Sequence, residues 1–139
     1  MGLQFQNTML ANLHLVIRYL DIDVSTLVTA SPYFQIKNSK IKESCQIDLL
    51  IQVKHNSFYL CEFKFKKNIG TEVIAEMEKK IKAFSRPKNT SVHPVLVYVG
   101  VLSEEVLDAD YFSKIINAEI FLDKILNIYR KNQGMEKIF

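Results

Sequence analysis

Asp48, Glu62 and Lys64 are the residues of this chain whose types and spacing could do chemistry. Two carboxylates brought side by side repel each other and are costly to half-bury. A divalent cation between them removes that cost, and Mg²⁺ takes hard oxygen ligands, often one or two carboxylates with waters and a phosphate. Lys64 follows Glu62 by two residues, so on a strand both point to the same face. Its ammonium could then orient or activate a metal-bound water, or steady charge on a phosphate in the transition state.

The elements that must position these groups are two strands, Gln46 to Val53 and Phe58 to Phe65, both rich in β-branched or aromatic residues. The polar link Lys54-His55-Asn56-Ser57 suits a hairpin turn with Asn56 or His55 near positive φ. Strand alternation puts Gln46, Asp48, Leu50 and Gln52 on one face and Ile47, Leu49, Ile51 and Val53 on the other. In the second strand Phe58, Leu60, Glu62 and Lys64 share a face, opposite Tyr59, Cys61, Phe63 and Phe65. The hairpin is antiparallel, so Gln46, Asp48, Glu62 and Lys64 gather at its open end. Asp48 faces Glu62 directly only if the loop holds an odd number of residues; Lys54 to Asn56 satisfies this and a two-residue loop does not. Such residues on a sheet are also explained as solvated cross-strand pairs. Leu50, Phe58 and Leu60 on the same face argue instead that the face is covered.

Around this hairpin, Phe5 to Leu20 reads as one helix, with Phe5, Met9, Leu13, Val16 and Leu20 on its apolar side. A loop follows at Asp21 to Thr26, then a strand at Val28 to Lys37 and a basic loop at Asn38 to Ser44. Gly70 breaks the chain, and Thr71 caps a helix running to Phe84 or Ser85. Glu76 with Lys80, and Glu78 with Lys82, stand four apart in the favourable order on that helix, and Pro87 closes it. Pro94 to Gly100 is a near-continuous apolar run, as expected of a strand covered on both faces. Ser103 to Leu107 reads as a short helix, Phe112 to Ile116 as a short strand, and Glu119 to Arg130 as a final amphipathic helix; residues 132–139 read as a loose tail. The pattern predicts an α/β fold with a mixed central sheet flanked by helices.

The chain's 139 residues suit one domain and suffice to bury a core without disulfide or structural metal. Cys45 and Cys61 make no disulfide framework, and with His14, His55 and His93 they show no zinc-ligand spacing. The net charge of +3 says little, but its distribution says more. Lys37, Lys40 and Lys42 precede the first hairpin strand, Lys64, Lys66 and Lys67 end the second, and Lys79, Lys80, Lys82, Arg86 and Lys88 cluster at the end of the next helix. Such stripes bind phosphates or simply form solvated surface. Neither a secretory leader nor a membrane-spanning apolar run is visible, so a cytoplasmic location without membrane contact is expected.

Cys-Gln-Ile-Asp-Leu-Leu-Ile (45 to 51) followed by Tyr-Leu-Cys-Glu-Phe-Lys-Phe (59 to 65) resembles the PD-(D/E)XK nuclease superfamily. More narrowly, it resembles the nuclease-like domain at the C-terminus of many archaeal and bacterial P-loop ATPases. Ser-Pro-Tyr-Phe-Gln (31 to 35), Ile-Gly-Thr-Glu-Val-Ile (69 to 74) and Pro-Val-Leu-Val-Tyr (94 to 98) extend the likeness over Leu3 to Leu122. The resemblance implies a restriction-endonuclease-like αβββαβ core spanning residues 1–139. It implies Mg²⁺ or Mn²⁺ held by Asp48, Glu62 and the backbone carbonyl of Phe63, with Lys64 as catalytic lysine and Gln46 lining the site. The family's further acidic ligand on the first helix corresponds here to Gln6, whose amide oxygen can ligate but brings no charge. No G-x-x-x-x-G-K-S/T phosphate loop occurs, so the chain is a domain excised from a longer ATPase or a stand-alone relative.

The leading expectation is a metal-dependent nuclease acting on DNA, with Lys37, Lys40, Lys42, Lys66, Lys67, Lys79, Lys80 and Arg86 holding the phosphate backbone. The alternative is a non-catalytic module that keeps the fold and basic surface, and binds nucleic acid or regulates a partner ATPase in cis or in trans. A third is a structural interaction domain using the apolar residues of the final helix, among them Ile120, Leu122, Ile125 and Tyr129.

Overall fold

The computed structural model describes residues 2–120 and 123. Two helices, α1 (Gly2–Ala11) and α2 (Leu13–Tyr19), lead through a 3₁₀ turn at Val24–Thr26 into β1 (Leu27–Gln35). Then come β2 (Cys45–Val53), β3 (Ser57–Ile69), α3 (Glu72–Ala83), β4 (Ser91–Leu102), α4 (Glu104–Asp108) and β5 (Lys114–Asn117). The five strands form one mixed sheet in the order β1-β2-β3-β4-β5. β1, β2 and β3 are antiparallel neighbours, while β4 and β5 run parallel to β3. The architecture is α/β, with helices on both faces of the sheet.

Each face owns a core. Phe5 and Met9 of α1 and Leu15, Val16 and Ile17 of α2 pack on Leu49, Ile51, Cys61, Phe63, Val95 and Val97. On the other side Val73 and Met77 of α3 and Val106 of α4 pack on Ile47, Leu50, Phe58, Leu60 and Leu96. Val95, Leu96 and Val97 are each fully buried, which is why the apolar run of β4 shows no alternation. Among the described residues, no helix is long and apolar enough to cross a membrane.

The expected single N-terminal helix is two. Asn12 leaves helical geometry (φ −122°, ψ 37°). Its side-chain amide donates to the Thr8 carbonyl at 3.0 Å, while its backbone N–H turns to Met9. The amide thus takes the acceptor that the helical ladder would have used. Thr71 makes no side-chain cap on α3; the Glu72 carboxylate instead accepts the Gly70 N–H at 3.2 Å. Most of the expected final helix lies outside the described residues, although Glu119, Ile120 and Asp123 are helical. The expected 132–139 tail lies outside them altogether.

Of the sheet's three register shifts, one gives β1 an extra residue between Leu27 and Thr29, and the other two lie toward the open end of the β2–β3 hairpin. β1 advances from Ser31 to Tyr33 while β2 runs from Leu50 to Ile47, so β2 carries one extra residue around Asp48 and Leu49. The last lies in β3 between Phe65 and Asn68, opposite Val99 to Val101. There Gly100 adopts φ +132°, and a Cβ on it would sit 1.7 Å from the Lys66 carbonyl oxygen. Only glycine admits that approach.

Candidate active site

The hairpin arithmetic places the carboxylates. Val53 pairs with Ser57 across the three-residue turn Lys54 to Asn56, and both His55 and Asn56 have positive φ (69° and 55°). The β2–β3 ladder then runs residue for residue to Leu49↔Cys61, where it stops. The next pair is Asp48 with Glu62. Here the bulge carries β2 away, and the Asp48 carboxylate accepts the Phe63 N–H at 2.8 Å. A side chain thus replaces the missing main-chain partner. The N–H and C=O of a strand residue project to the same side, so the Phe63 carbonyl is directed to this splayed edge too.

Glu62 is buried, with 7% of its surface exposed. Lys80 of α3 places its Nζ 2.6 Å from Glu62 Oε2, and Lys64 Nζ stands 3.9 Å from Oε1. Lys64 is held more closely by Glu76, at 2.8 Å. The expected pairing of Glu76 with Lys80 along α3 is therefore replaced by two bridges from α3 down to β3. Val73 and Met77 seat α3 on the sheet, and Glu76 and Lys80, three residues beyond each, flank that seat. Buried partners on β3 offer a stronger field than a solvated neighbour on the same helix.

Burial pushes the Glu62 carboxyl above its usual range, and the neighbouring Asp48 charge adds to the rise; Lys80 and Lys64 pull the other way without cancelling it. For Lys64, burial works against the charged form. The Glu76 bond and the charges of Glu62, Glu76 and Asp48 outweigh burial, and the ammonium is held above its usual value. Burial pushes the thiols of Cys61 and Cys45 up, so neither is poised as a thiolate nucleophile.

A cavity of about 510 Å³ opens over this cluster, lined by Asp48, Glu62, Lys64, Gln46, Lys79 and Lys80, with Glu43, Glu76 and Ala83 among its other walls. Gln46 lines it although the expected face alternation fails there. The bulge sends Ile47 into the α3-side core, away from Leu49 and Ile51. Gln6 does not line the cavity. Its amide nitrogen makes a long 3.5 Å contact to the backbone carbonyl of Asp48. Lys40, Lys42 and Arg86 line a second, adjoining cavity with Lys82 and Lys88. Lys66 pairs with Glu72 at 3.3 Å, and the exposed Lys37 and Lys67 line neither cavity.

Sequence reasoning missed Glu76 as the partner of Lys64, and Lys80 as the partner of Glu62. It also missed Gln35. This amide is 4% exposed. Its nitrogen donates to the carbonyls of Glu43 (2.8 Å) and Ala83 (2.6 Å), and its oxygen accepts the Ser85 N–H (2.8 Å) and the Tyr33 hydroxyl (3.0 Å). Its full hydrogen-bonding capacity is used, and it ties β1, the 36–44 loop and the end of α3 together beside the cavity.

No cluster of three or more His, Cys, Asp or Glu side chains suited to a metal occurs among the described residues. Of the hard donors around the cavity, the Asp48 and Glu62 carboxylates and the Phe63 carbonyl belong to the splayed edge, while Glu76 is held by Lys64 and Glu43 stands on another wall. The splayed-edge set fits Mg²⁺, which keeps several waters, once Lys80 swings off Glu62. No protein-family model, curated protein or solved structure matches the chain.

Proposed function

We propose that the chain is a PD-(D/E)XK-type domain with a restriction-endonuclease-like αβββαβ core, and that it hydrolyses phosphodiester bonds of DNA with Mg²⁺ or Mn²⁺. One observation carries this reading. Asp48 and Glu62 meet where β2 splays from β3, with Lys64 on the same strand, inside a cavity that adjoins a basic groove. Asp48, Glu62 and the Phe63 carbonyl are the residues that would hold the metal. When bound, the metal supplies charge neutralisation at the phosphate and acidifies its water. Lys64 would orient the attacking water or steady the developing charge on the phosphate. Glu76 holds Lys64 in place, and Lys80, released from Glu62, is free to meet the incoming phosphate. The resemblance also makes a P-loop ATPase, in cis or in trans, the proposed partner.

The test is calorimetric titration of Mn²⁺ and Mg²⁺ into the protein and into Asp48→Asn and Glu62→Gln. Binding by the unsubstituted protein, lost in both variants, is expected. Absence of binding by folded protein, even with DNA present, overturns the catalytic reading. It would favour a non-catalytic nucleic-acid-binding module, to which the 2.6 Å Lys80–Glu62 pair and the neutral Gln6 already point.

A further inference from the structure

The carboxylate cavity continues into the basic one. The second cavity measures about 600 Å³, and both are lined by Glu43 and Ala83. Lys40 and Lys42 stand on one wall and Lys82, Arg86 and Lys88 on the other, with Glu43 the one acid among the lining residues. Both walls are fixed by hydrogen bonds. Asn38 Oδ1 accepts the N–H groups of Lys40 (2.8 Å) and Ile41 (2.9 Å), which folds the lysine-bearing loop into a turn. Gln35 bonds both walls at once, through Glu43 and Ala83.

The end of a helix carries partial negative charge and ordinarily repels anions. At the end of α3 that charge is taken up. Arg86 donates to the carbonyls of Ile81 (2.7 Å) and Phe84 (3.0 Å), and Gln35 covers that of Ala83. With those carbonyls engaged, the charged side chains of the helix end that line the groove are Lys82, Arg86 and Lys88.

We infer that this groove holds consecutive phosphates of a single-stranded nucleic acid and leads the strand toward Asp48 and Glu62. The inference rests on the proposed nuclease reading only for that last step; strand binding does not require hydrolysis. The placement of charge favours the strand. The groove's cations come from two segments, the 36–44 loop and the end of α3. A single strand is flexible enough to thread between them, so that its phosphates meet charge from both, whereas a duplex is a stiff rod that lies across a surface.

The experiment is fluorescence anisotropy of the full chain with a labelled short oligothymidylate, and with a duplex of equal length, in EDTA so that no cleavage occurs. The single strand is expected to bind roughly tenfold or more tightly than the duplex. Lys42→Glu combined with Lys82→Glu, one exposed lysine from each wall, is expected to weaken strand binding by roughly tenfold or more. Replacing the same two by glutamine lowers the salt slope of log K by about 0.7 for each phosphate that is no longer neutralised. Unchanged thermal midpoints establish that the variants fold. Duplex bound as tightly as the strand, or charge-reversed protein binding like the original, overturns the inference. An oligouridylate run in parallel, if bound more tightly, supports the groove and assigns it to RNA. Strand binding that survives Asp48→Asn, with no cleavage by the unsubstituted protein in Mg²⁺ or Mn²⁺, supports the groove and removes the nuclease reading instead.

Discussion

At its turn end the β2–β3 hairpin is paired residue for residue from Val53↔Ser57 to Leu49↔Cys61, whereas at its open end the ladder stops and Asp48 commits its carboxylate to the Phe63 N–H. The strands and the covering helix are the same. At the turn end Leu50, Phe58 and Leu60 are buried under α3. Each such side chain contributes roughly 1.5–3 kcal/mol by leaving water. At the open end α3 meets Glu62 and Lys64 with Lys80 and Glu76. There the attraction of the buried Glu62–Lys80 pair is largely offset by its desolvation. The apolar end holds the sheet together, and that leaves the open end free to carry buried charge.

The sharpest way to break this contrast is Leu60→Ala, at a fully buried position. It is expected to cost about 3–4 kcal/mol in urea denaturation through diminished burial and a residual cavity. A loss under 1 kcal/mol would deny the turn end its anchoring role. Lys64→Ala is the mirror case. Cleavage is expected to fall on the order of 100-fold or more, while stability shifts by no more than about 1 kcal/mol because the Lys64 side chain is 28% exposed. Unchanged cleavage would take the site away from this lysine. Gln35→Ala is expected to cost about 2 kcal/mol, since it strands buried groups of Glu43, Ala83 and Ser85. A neutral result by denaturant titration would show that water replaces the amide.

The smallest effect is one of sign. Glu62 has its carboxyl pushed up in the folded protein. Its contribution to stability is therefore fully present below the ordinary Glu range and is lost as pH rises through the raised value. Glu62→Gln cannot ionise and keeps that contribution. Glu62→Gln is expected to gain in midpoint relative to the unsubstituted protein as pH rises from the acid range toward neutral. A difference that is flat, or that falls with pH, would mean that Lys80 and Lys64 outweigh burial.

Much of this contrast was legible in the residues. Strand alternation, with an odd loop at Lys54 to Asn56, was enough to bring Asp48 opposite Glu62. The uninterrupted apolar run of β4 announced burial on both faces. The bulge at Asp48 was not legible, because nothing in Gln46-Ile47-Asp48 distinguishes a regular strand from one with an extra residue; the ladder with β1 decides it. Asn12 did carry a signal, as a side chain able to compete for helix carbonyls, but the apolar spacing across it is continuous. The partners of Lys64 and Lys80 were out of reach for another reason. Local spacing nominates neighbours on the same helix, and only the docking of α3 brings a partner eighteen residues away in sequence within bonding distance. Gln35 is a neutral amide, and its four bonds come from three separate segments.

Every lining residue of the carboxylate cavity lies between Glu43 and Ala83. That stretch is one hairpin and the helix that follows it, so the site assembles from near neighbours along the chain. The parallel β3–β4 pairing needs the long crossover through α3 before it can form, and it bears the larger loop-closure entropy. In the order of folding, the slow step that completes the sheet is thus separable from the step that gathers the charges.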